Sequence, residues 1–398
     1  MKKTFEIDDL LKIARRTNNQ KRPYLYVNPL QGKHVPVSPS VTLALFRLLA
    51  EKVESRYKGE KLLVIGFAET ATAIGFTIAC RAENVTYAMC TTREEVEGAE
   101  YLFFTESHSH ATEQRLVSNR LPEVLEQVDR VVFAEDEVTT GRTIEKLIRE
   151  LQKRYPDREL KFGIVSILNS MTKERLAELE NEGVVCDFLH RIPAGYRTEE
   201  INRFRYESAG AESVCEREAV FQELFLGDDW NGRLPADTKT IWDTCQRFAE
   251  NAFRAVFPEE EGDPKPRQQG AAEGSGETRE KKILVLGTEE CMFPGLLFGA
   301  AIEEKCPGWR VRFHATTRSP IEVSEDPDYP LHTRWPLCSL YEAGRRTFVY
   351  NLEAYDRVFV VTDAAPVCRE GQQNLAEALT SAGSTDITLI QWGGPGRE

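Results

Sequence analysis

The stretch Arg130-Val-Val-Phe-Ala-Glu-Asp-Glu-Val-Thr-Thr-Gly-Arg-Thr143 decides how the rest of the chain is read. Val131 to Ala134 is a short apolar run, long enough for one buried strand. Glu135 and Asp136 stand where that strand ends. Thr139, Thr140, Gly141 and Thr143 follow as a tight, hydroxyl-rich turn. From Ile144 to Tyr155 the apolar residues Ile144, Leu147, Ile148 and Leu151 recur on one helical face. A loop that opens a helix presents free backbone N–H groups and the positive end of the helix dipole, which favours a phosphate. Gly141 lets the backbone approach closely, and the threonines add hydroxyl donors. Carboxylates beside such a cradle accept hydrogen bonds from vicinal hydroxyls. The expectation is a site for a sugar 5-phosphate.

These residues resemble the phosphoribosyl pyrophosphate (PRPP) loop of type I phosphoribosyltransferases, in which an apolar strand leads to two acidic residues and then Thr-Thr-Gly-x-Thr. Glu135 replaces the more usual Asp and keeps its charge. Glu137 replaces an apolar residue and adds a charge near the expected base pocket. The resemblance implies that Thr139, Thr140, Gly141, Arg142 and Thr143 hold the 5-phosphate, and that Glu135 and Asp136 are the catalytic acidic pair, fixing the ribose hydroxyls. It implies Mg²⁺ as cofactor, carried by the substrate near Glu135 and Asp136 and not ligated directly by a protein cage.

Composition bounds the reading. With 398 residues, 41% hydrophobic and 29% charged, the chain has length for two or three domains with real cores. A formal charge of −13 argues against nonspecific nucleic-acid binding, which needs a basic footprint. The nine cysteines are scattered without a Cys-x-x-Cys pair or zinc-like spacing. Met1-Lys-Lys leads into polar residues and not an apolar run, and no stretch is long enough to span a membrane. A cytoplasmic protein with reduced thiols is expected.

Upstream, Ile7 to Arg16 reads as a short helix, Tyr24 to Val27 as a strand and Ser40 to Tyr57 as a helix. Leu62 to Ile65 reads as a buried strand and Gly66 to Thr72 as a small-residue turn before a helix from Ala73. In the resembling enzymes that turn grips pyrophosphate, which implies this role for Glu69, Thr70 and Ala71. Arg93 follows the next strand, Thr86 to Thr92, and is suited to phosphate contact. The polar segment after it carries His108 and His110. A metal pair, surface residues and a lid closing over PRPP all fit them, and the lid is preferred because the segment falls between the right two strands.

Downstream, strands at Lys161–Leu168 and Val184–His190 alternate with a helix from Lys173. This implies an α/β fold with a mainly parallel sheet, binding ligand at the carboxyl ends of its strands. Thr238 to Val256 reads as a helix that extends a first domain over residues 1–257. Residues 258–280 are rich in Gly, Pro and charge, as in a flexible linker. Residues 281–398 form a second, Rossmann-like domain that echoes the first. Lys282-Ile-Leu-Val-Leu-Gly parallels Lys61-Leu-Leu-Val-Ile-Gly, Thr-Thr-Arg occurs at 316–318 as at 91–93, and Tyr355 to Asp363 parallels Val128 to Asp136. A diverged, partial repeat is expected. It has Ala364-Ala-Pro in place of the Thr-Thr-Gly turn, so it should not hold PRPP in the same way.

Thr317-Arg-Ser-Pro320 carries a second resemblance. An orotate-phosphoribosyltransferase-like domain followed by a domain named for that motif is similar to a bacterial family associated with tellurium-resistance and stress-response gene clusters. It implies synthesis of a nucleotide-like metabolite from PRPP and an unidentified nitrogenous acceptor, with release of pyrophosphate. The alternative is a catalytically inactive PRPP sensor or scaffold. A homodimer stands as an open expectation. Thr317, Arg318, Ser319 and Asp363 mark a candidate pocket in the second domain, with Thr316, His332, Arg334, Arg345 and Arg346 as further candidates. Arg318 reads nearly as well as a structural ion-pair partner.

Overall fold

The computed structural model describes residues 4–17, 19–20, 22–104, 114–206, 219–227, 230–258 and 280–393. The segment with His108 and His110 lies outside the described residues, as does most of the expected linker.

The first sheet has the order β11-β4-β3-β7-β8-β9. Its strands are β3 (Leu62–Gly66), β4 (Val85–Cys90), β7 (Arg130–Val138), β8 (Lys161–Asn169), β9 (Val184–Arg191) and the short β11 (Ala236–Asp237). All pair in parallel except β11, which runs antiparallel to β4. The second sheet has the order β10-β17-β16-β12-β13 and is parallel throughout. Its strands are β10 (Gln222–Leu226), β12 (Lys282–Gly287), β13 (Arg310–Ala315), β16 (Arg357–Thr362) and β17 (Ile387–Trp392). Strand β10 precedes the linker in sequence yet pairs with β17.

The two sheets share a plan. Order β4-β3-β7-β8 in the first corresponds to β13-β12-β16-β17 in the second. Each has an antiparallel hairpin between its second and third strands: β5 (Tyr101–Phe103) with β6 (Arg115–Val117), and β14 (Arg334–Cys338) with β15 (Arg346–Tyr350). The central strand β3 is wholly apolar up to its last residue and buried throughout, and β12 is so after its first residue, Lys282. Such runs suit parallel strands covered on both faces.

Helices fill the space between and outside the sheets. α2 (Pro39–Arg56), α3 (Thr72–Arg81), α7 (Thr238–Val256) and α8 (Phe293–Lys305) share one apolar core with both sheets. That core joins Leu49, Ile74, Phe248 and Phe298 to Val64 of one sheet and Val285 of the other. α7 shows why it sits there: Ile241, Cys245, Phe248, Ala249, Ala252 and Phe253 repeat at helical spacing and are buried, and Asp237 caps the helix by accepting from the Thr240 N–H at 2.8 Å. On the outer face of the first sheet lie the short α4 (Leu121–Leu125) and α5 (Arg142–Arg154), with Ile144, Leu147, Ile148 and Leu151 turned inward, and α6 (Lys173–Asn181). α9 (Arg369–Ser381) covers the outer face of the second.

One expectation is corrected. Ile7 to Arg16 is not a single helix: α1 covers only Ile7–Leu10, and Lys12–Arg15 is strand β1, paired antiparallel with β2 (Tyr24–Val27). Pairing with a partner strand, with both Ile13 and Ala14 buried, outweighed a weak helical pattern.

Candidate active site

Sheet register brings the site together. Gly66 pairs with Ala134, and the Phe67 N–H donates to the Ala134 carbonyl at 3.0 Å. The turn after β3 therefore leaves the sheet beside the acidic pair of β7. The strand continues through Glu135, Asp136 and Glu137 to Val138, further than its apolar run suggested. Gly141 closes the next turn at φ +67, the left-handed conformation that glycine adopts without penalty, and a Cβ there would stand 3.2 Å from the Met171 sulfur. Helix α5 starts at Arg142. Thr139 is half-buried, and Thr140, Arg142 and Thr143 are exposed around the start of that helix. Arg175 on α6 holds the turn from behind: its Nε donates to the Thr140 carbonyl at 3.0 Å.

Burial raises the carboxyls of both Glu135 and Asp136, and for Glu135 the Asp136 charge adds to it. Glu137 behaves differently. Burial pushes it up to about 7, opposed by Arg22, whose Nη2 donates to its two oxygens at 2.9 and 2.8 Å. Arg22 comes from the loop between β1 and β2, and its guanidinium lies 4.9 Å from the Tyr24 ring centre. The amino-terminal hairpin is thus tied over the acidic strand by a residue the sequence reading passed over.

The turn after β3 is held from three directions. The Ala68 N–H donates to Thr91 Oγ1 at 2.8 Å, Gln31 Nε2 to the Thr70 carbonyl at 2.8 Å, and the Arg318 N–H to both Glu69 oxygens at 3.3 Å. Glu69 is itself buried and paired with the buried Lys33 at 2.5 Å. Burial pushes the Glu69 carboxyl up, but Lys33, Arg318 and Arg93 outweigh it and hold it at about 2. Its charge therefore anchors the turn inward, and its carboxylate does not face an open site. Ala71 is buried at the end of the turn, and Gly66 is packed so closely that a Cβ would meet the Ala71 carbonyl oxygen at 2.6 Å. Arg93 is half-buried beside this turn, and its Nε has no acceptor among the described residues.

The second domain answers contact for contact. The Glu289 N–H donates to Thr316 Oγ1 at 3.0 Å, as Ala68 does to Thr91. The Arg93 N–H donates to Glu290 at 2.7 Å, as Arg318 does to Glu69. Arg233 pairs with Glu290 at 3.1 Å, in the place that Lys33 takes at Glu69. A Cβ on Gly287 would meet the Cys291 carbonyl oxygen at 2.6 Å, matching Gly66. The two turns face each other across the junction, each touched by the arginine that follows the neighbouring strand of the other domain.

Of the second-domain candidates, Thr317 is buried, and Arg318 sits among carboxylates: its Nε donates to Glu289 at 2.6 Å and its Nη2 to Glu94. Arg345 joins the same cluster, pairing with Glu289 at 3.2 Å and with Glu94. Ser319 lies beyond, its carbonyl accepting from the Tyr350 hydroxyl at 2.7 Å. Asp363 directly follows β16, at the place that Asp136 takes on β7, but it is saturated: Arg233 Nη1 and the Tyr341 hydroxyl each donate to it at 2.5 Å. His332 and Arg334 bond carbonyls of their own domain, Ser324 at 3.0 Å and Ile321 at 3.0 Å. Arg346 is exposed. Lys33, Glu94, Arg233, Glu289 and Glu290 were missed. Glu290 stands three residues after Gly287, as Glu69 stands three after Gly66.

No helix among the described residues is long and apolar enough to cross a membrane. Comparison with known proteins is consistent with this architecture. Residues 10–192 match the family described as phosphoribosyl transferase, and residues 264–379 match the TRSP domain found C-terminal to it. No curated protein matches significantly. Among solved structures, adenine phosphoribosyltransferase from Trypanosoma brucei, crystallised with AMP, pyrophosphate and ribose 5-phosphate, is similar at 14% identity over 46% of this chain and 77% of that one, with a TM-score of 0.34. The enzyme from Giardia lamblia is similar at 13% identity over 46% of this chain and 94% of that one, TM-score 0.33. That from Leishmania tarentolae is similar at 13% over 46% and 85%, TM-score 0.31. The chain thus carries a phosphoribosyl transferase domain followed by a TRSP domain.

Proposed function

We propose that the first domain transfers a 5-phosphoribosyl group from PRPP to a nitrogen nucleophile, with release of pyrophosphate. One observation carries this reading: the acidic pair on β7 leads directly into the Thr139–Thr143 turn and the start of α5, beside the turn after β3. The bond from the anomeric carbon to pyrophosphate breaks and a bond to nitrogen forms, through an oxocarbenium-like state as in glycosyl transfer generally. Positioning and charge stabilisation then do most of the catalysis. The amides and hydroxyls of Thr139, Thr140, Gly141, Arg142 and Thr143 hold the 5-phosphate. Glu135 and Asp136 orient the ribose hydroxyls. The backbone of Glu69, Thr70 and Ala71 borders the pyrophosphate, with Arg93 beside it. His108 and His110 belong to a segment proposed to close over the substrate.

Among the described residues no group of three or more His, Cys, Asp or Glu side chains could hold a metal ion. Mg²⁺ is commonly bound through one or two carboxylates together with phosphates and water. Glu135 and Asp136 fit that demand, because burial raises both and a nearby cation relieves it. When bound with PRPP, Mg²⁺ would supply neutralising charge at the pyrophosphate and ribose oxygens. The product is read as a nucleotide-like metabolite of a stress-response pathway linked to tellurium resistance, on the strength of the Thr317-Arg-Ser-Pro320 resemblance. The repeat relation of the two domains is likewise proposed, supported by their shared strand order.

Calorimetric titration of PRPP with and without Mg²⁺ tests the reading. Micromolar binding, about −8 kcal/mol, should require Mg²⁺ and weaken at least a hundredfold in Asp136→Asn/Thr140→Ala. A folded wild type that binds no PRPP overturns it. Binding without pyrophosphate release for any nitrogenous acceptor would favour the sensor alternative.

A further inference from the structure

A cleft of about 720 Å³ opens between the domains, at the end of β16. That volume is in the range of small-molecule sites. Four guanidinium groups line it, Arg93 and Arg115 from the first domain, Arg233 from the segment before α7 and Arg345 from the second. Its inner carboxylates are Glu94 and Asp363, while Glu95, Glu97 and Glu342 are exposed at the rim.

The hydrogen bonds show what is left unused. Asp363 accepts from Arg233 and Tyr341, and Glu94 accepts from Arg345 and Arg318. Both interior acids are therefore spent. Among the described residues the buried Nε of Arg93, Nε of Arg115 and Nη2 of Arg233 have no acceptor. Arg233 is only 6% exposed, so its free N–H cannot be left to bulk solvent without cost. What remains in the cleft is directional donor capacity on Arg93, Arg115 and Arg233, although Arg115 also meets the exposed Glu95 at 3.8 Å and Arg345 the exposed Glu342.

We propose that this cleft is a second ligand site, taking a small molecule that bears a phosphate monoester. A tetrahedral dianion accepts hydrogen bonds from several directions at once, and guanidinium groups suit it geometrically. A carboxylate presents only two oxygens in one plane. The site is assembled from both domains, and it lies at the strand end where the second sheet has Asp363 and no Thr-Thr-Gly turn. It shares Arg93 with the proposed pyrophosphate border, so its test reads Arg115, which the PRPP reading does not use.

The test uses the full chain with the first site disabled by Asp136→Asn/Thr140→Ala. Ribose 5-phosphate is titrated into that variant by calorimetry, with ribose and succinate as controls. One equivalent of ribose 5-phosphate should bind, ribose and succinate should not, and adding Arg115→Gln should weaken binding at least tenfold. Hydrogen exchange over 93–97 and 341–345 should slow in the presence of ribose 5-phosphate. The proposal is overturned if the variant shows no phosphate-dependent binding and no slowed exchange, if Arg115→Gln leaves the affinity unchanged, or if succinate binds as well. Wild type failing to bind PRPP, with this equivalent retained, would remove the proposed function and leave the cleft site standing.

Discussion

Asp136 and Asp363 occupy corresponding places on the third strands of two similar sheets, and their electrostatics are opposite. Burial raises the carboxyl of Asp136, and the charge of Arg22, which is hydrogen-bonded to Glu137 instead, only partly opposes the rise. Burial also presses on Asp363, but Arg233 and Tyr341 outweigh it and hold the carboxyl low. One strand end awaits a counter-charge, and the other already has one. A shared strand order therefore does not carry a shared chemistry: function follows the groups around the acid, not its place on the sheet.

The comparison can be broken hardest at the saturated end. Arg233→Met leaves the buried Glu290 and the half-buried Asp363 without their cation, and stability in urea should fall by about 3–5 kcal/mol. Arg142→Met, at the exposed start of α5, should stay within about 0.5 kcal/mol. Equal losses in the two variants would erase the distinction between a spent and an open strand end.

A middle-sized effect is expected where the first domain does hold a cation. Arg22→Gln removes charge-assisted bonds from Glu137, which contribute about 1.5–3 kcal/mol, and Glu137, already pushed up to about 7, should then be protonated at neutral pH. Hydrogen exchange over residues 12–27 should quicken while β7 stays protected. Unchanged exchange would show that the hairpin is held by packing alone.

The smallest effect has the most telling sign. Carboxyls raised in the folded state contribute stability below the ordinary carboxylate pKa and lose it as pH rises through the folded values. Asp136→Asn should therefore stabilise the protein at pH 8, by about 0.5–2 kcal/mol, and the gain should vanish toward pH 4. Asp363, held low, runs the other way: its contribution is present above the ordinary carboxylate pKa and lost as pH falls through its lower folded value. Asp363→Asn should cost stability at pH 8 and progressively less in acid. Thermal unfolding across pH 4–8 reads both. Slopes of the same sign would refute the contrast.

Much of this architecture could be read from the chain. Leu62 to Ile65, Val131 to Ala134 and Lys161 to Leu168 are apolar runs between turn residues, and each became a central parallel strand. Thr238 to Val256 became α7 over those same residues. The acidic pair and Thr-Thr-Gly turn are local, so their strand-turn-helix setting was visible too. Ile7 to Arg16 misled because a short amphipathic pattern does not say which partner buries it.

The sequence by itself determined the periodicities, the turn chemistry and the local order of the phosphate cradle, because these depend on residues within a few positions of one another. Only the tertiary structure decided which charges would be neutralised. Lys33 reaches Glu69 and the Glu289 carbonyl, and Arg318 reaches Glu69 and Glu94, across 36 to 256 positions of chain. Pairings at such separations leave no periodic signal. They arise when two sheets, packed around a common core, turn their strand ends toward each other and bury whatever charges those ends carry.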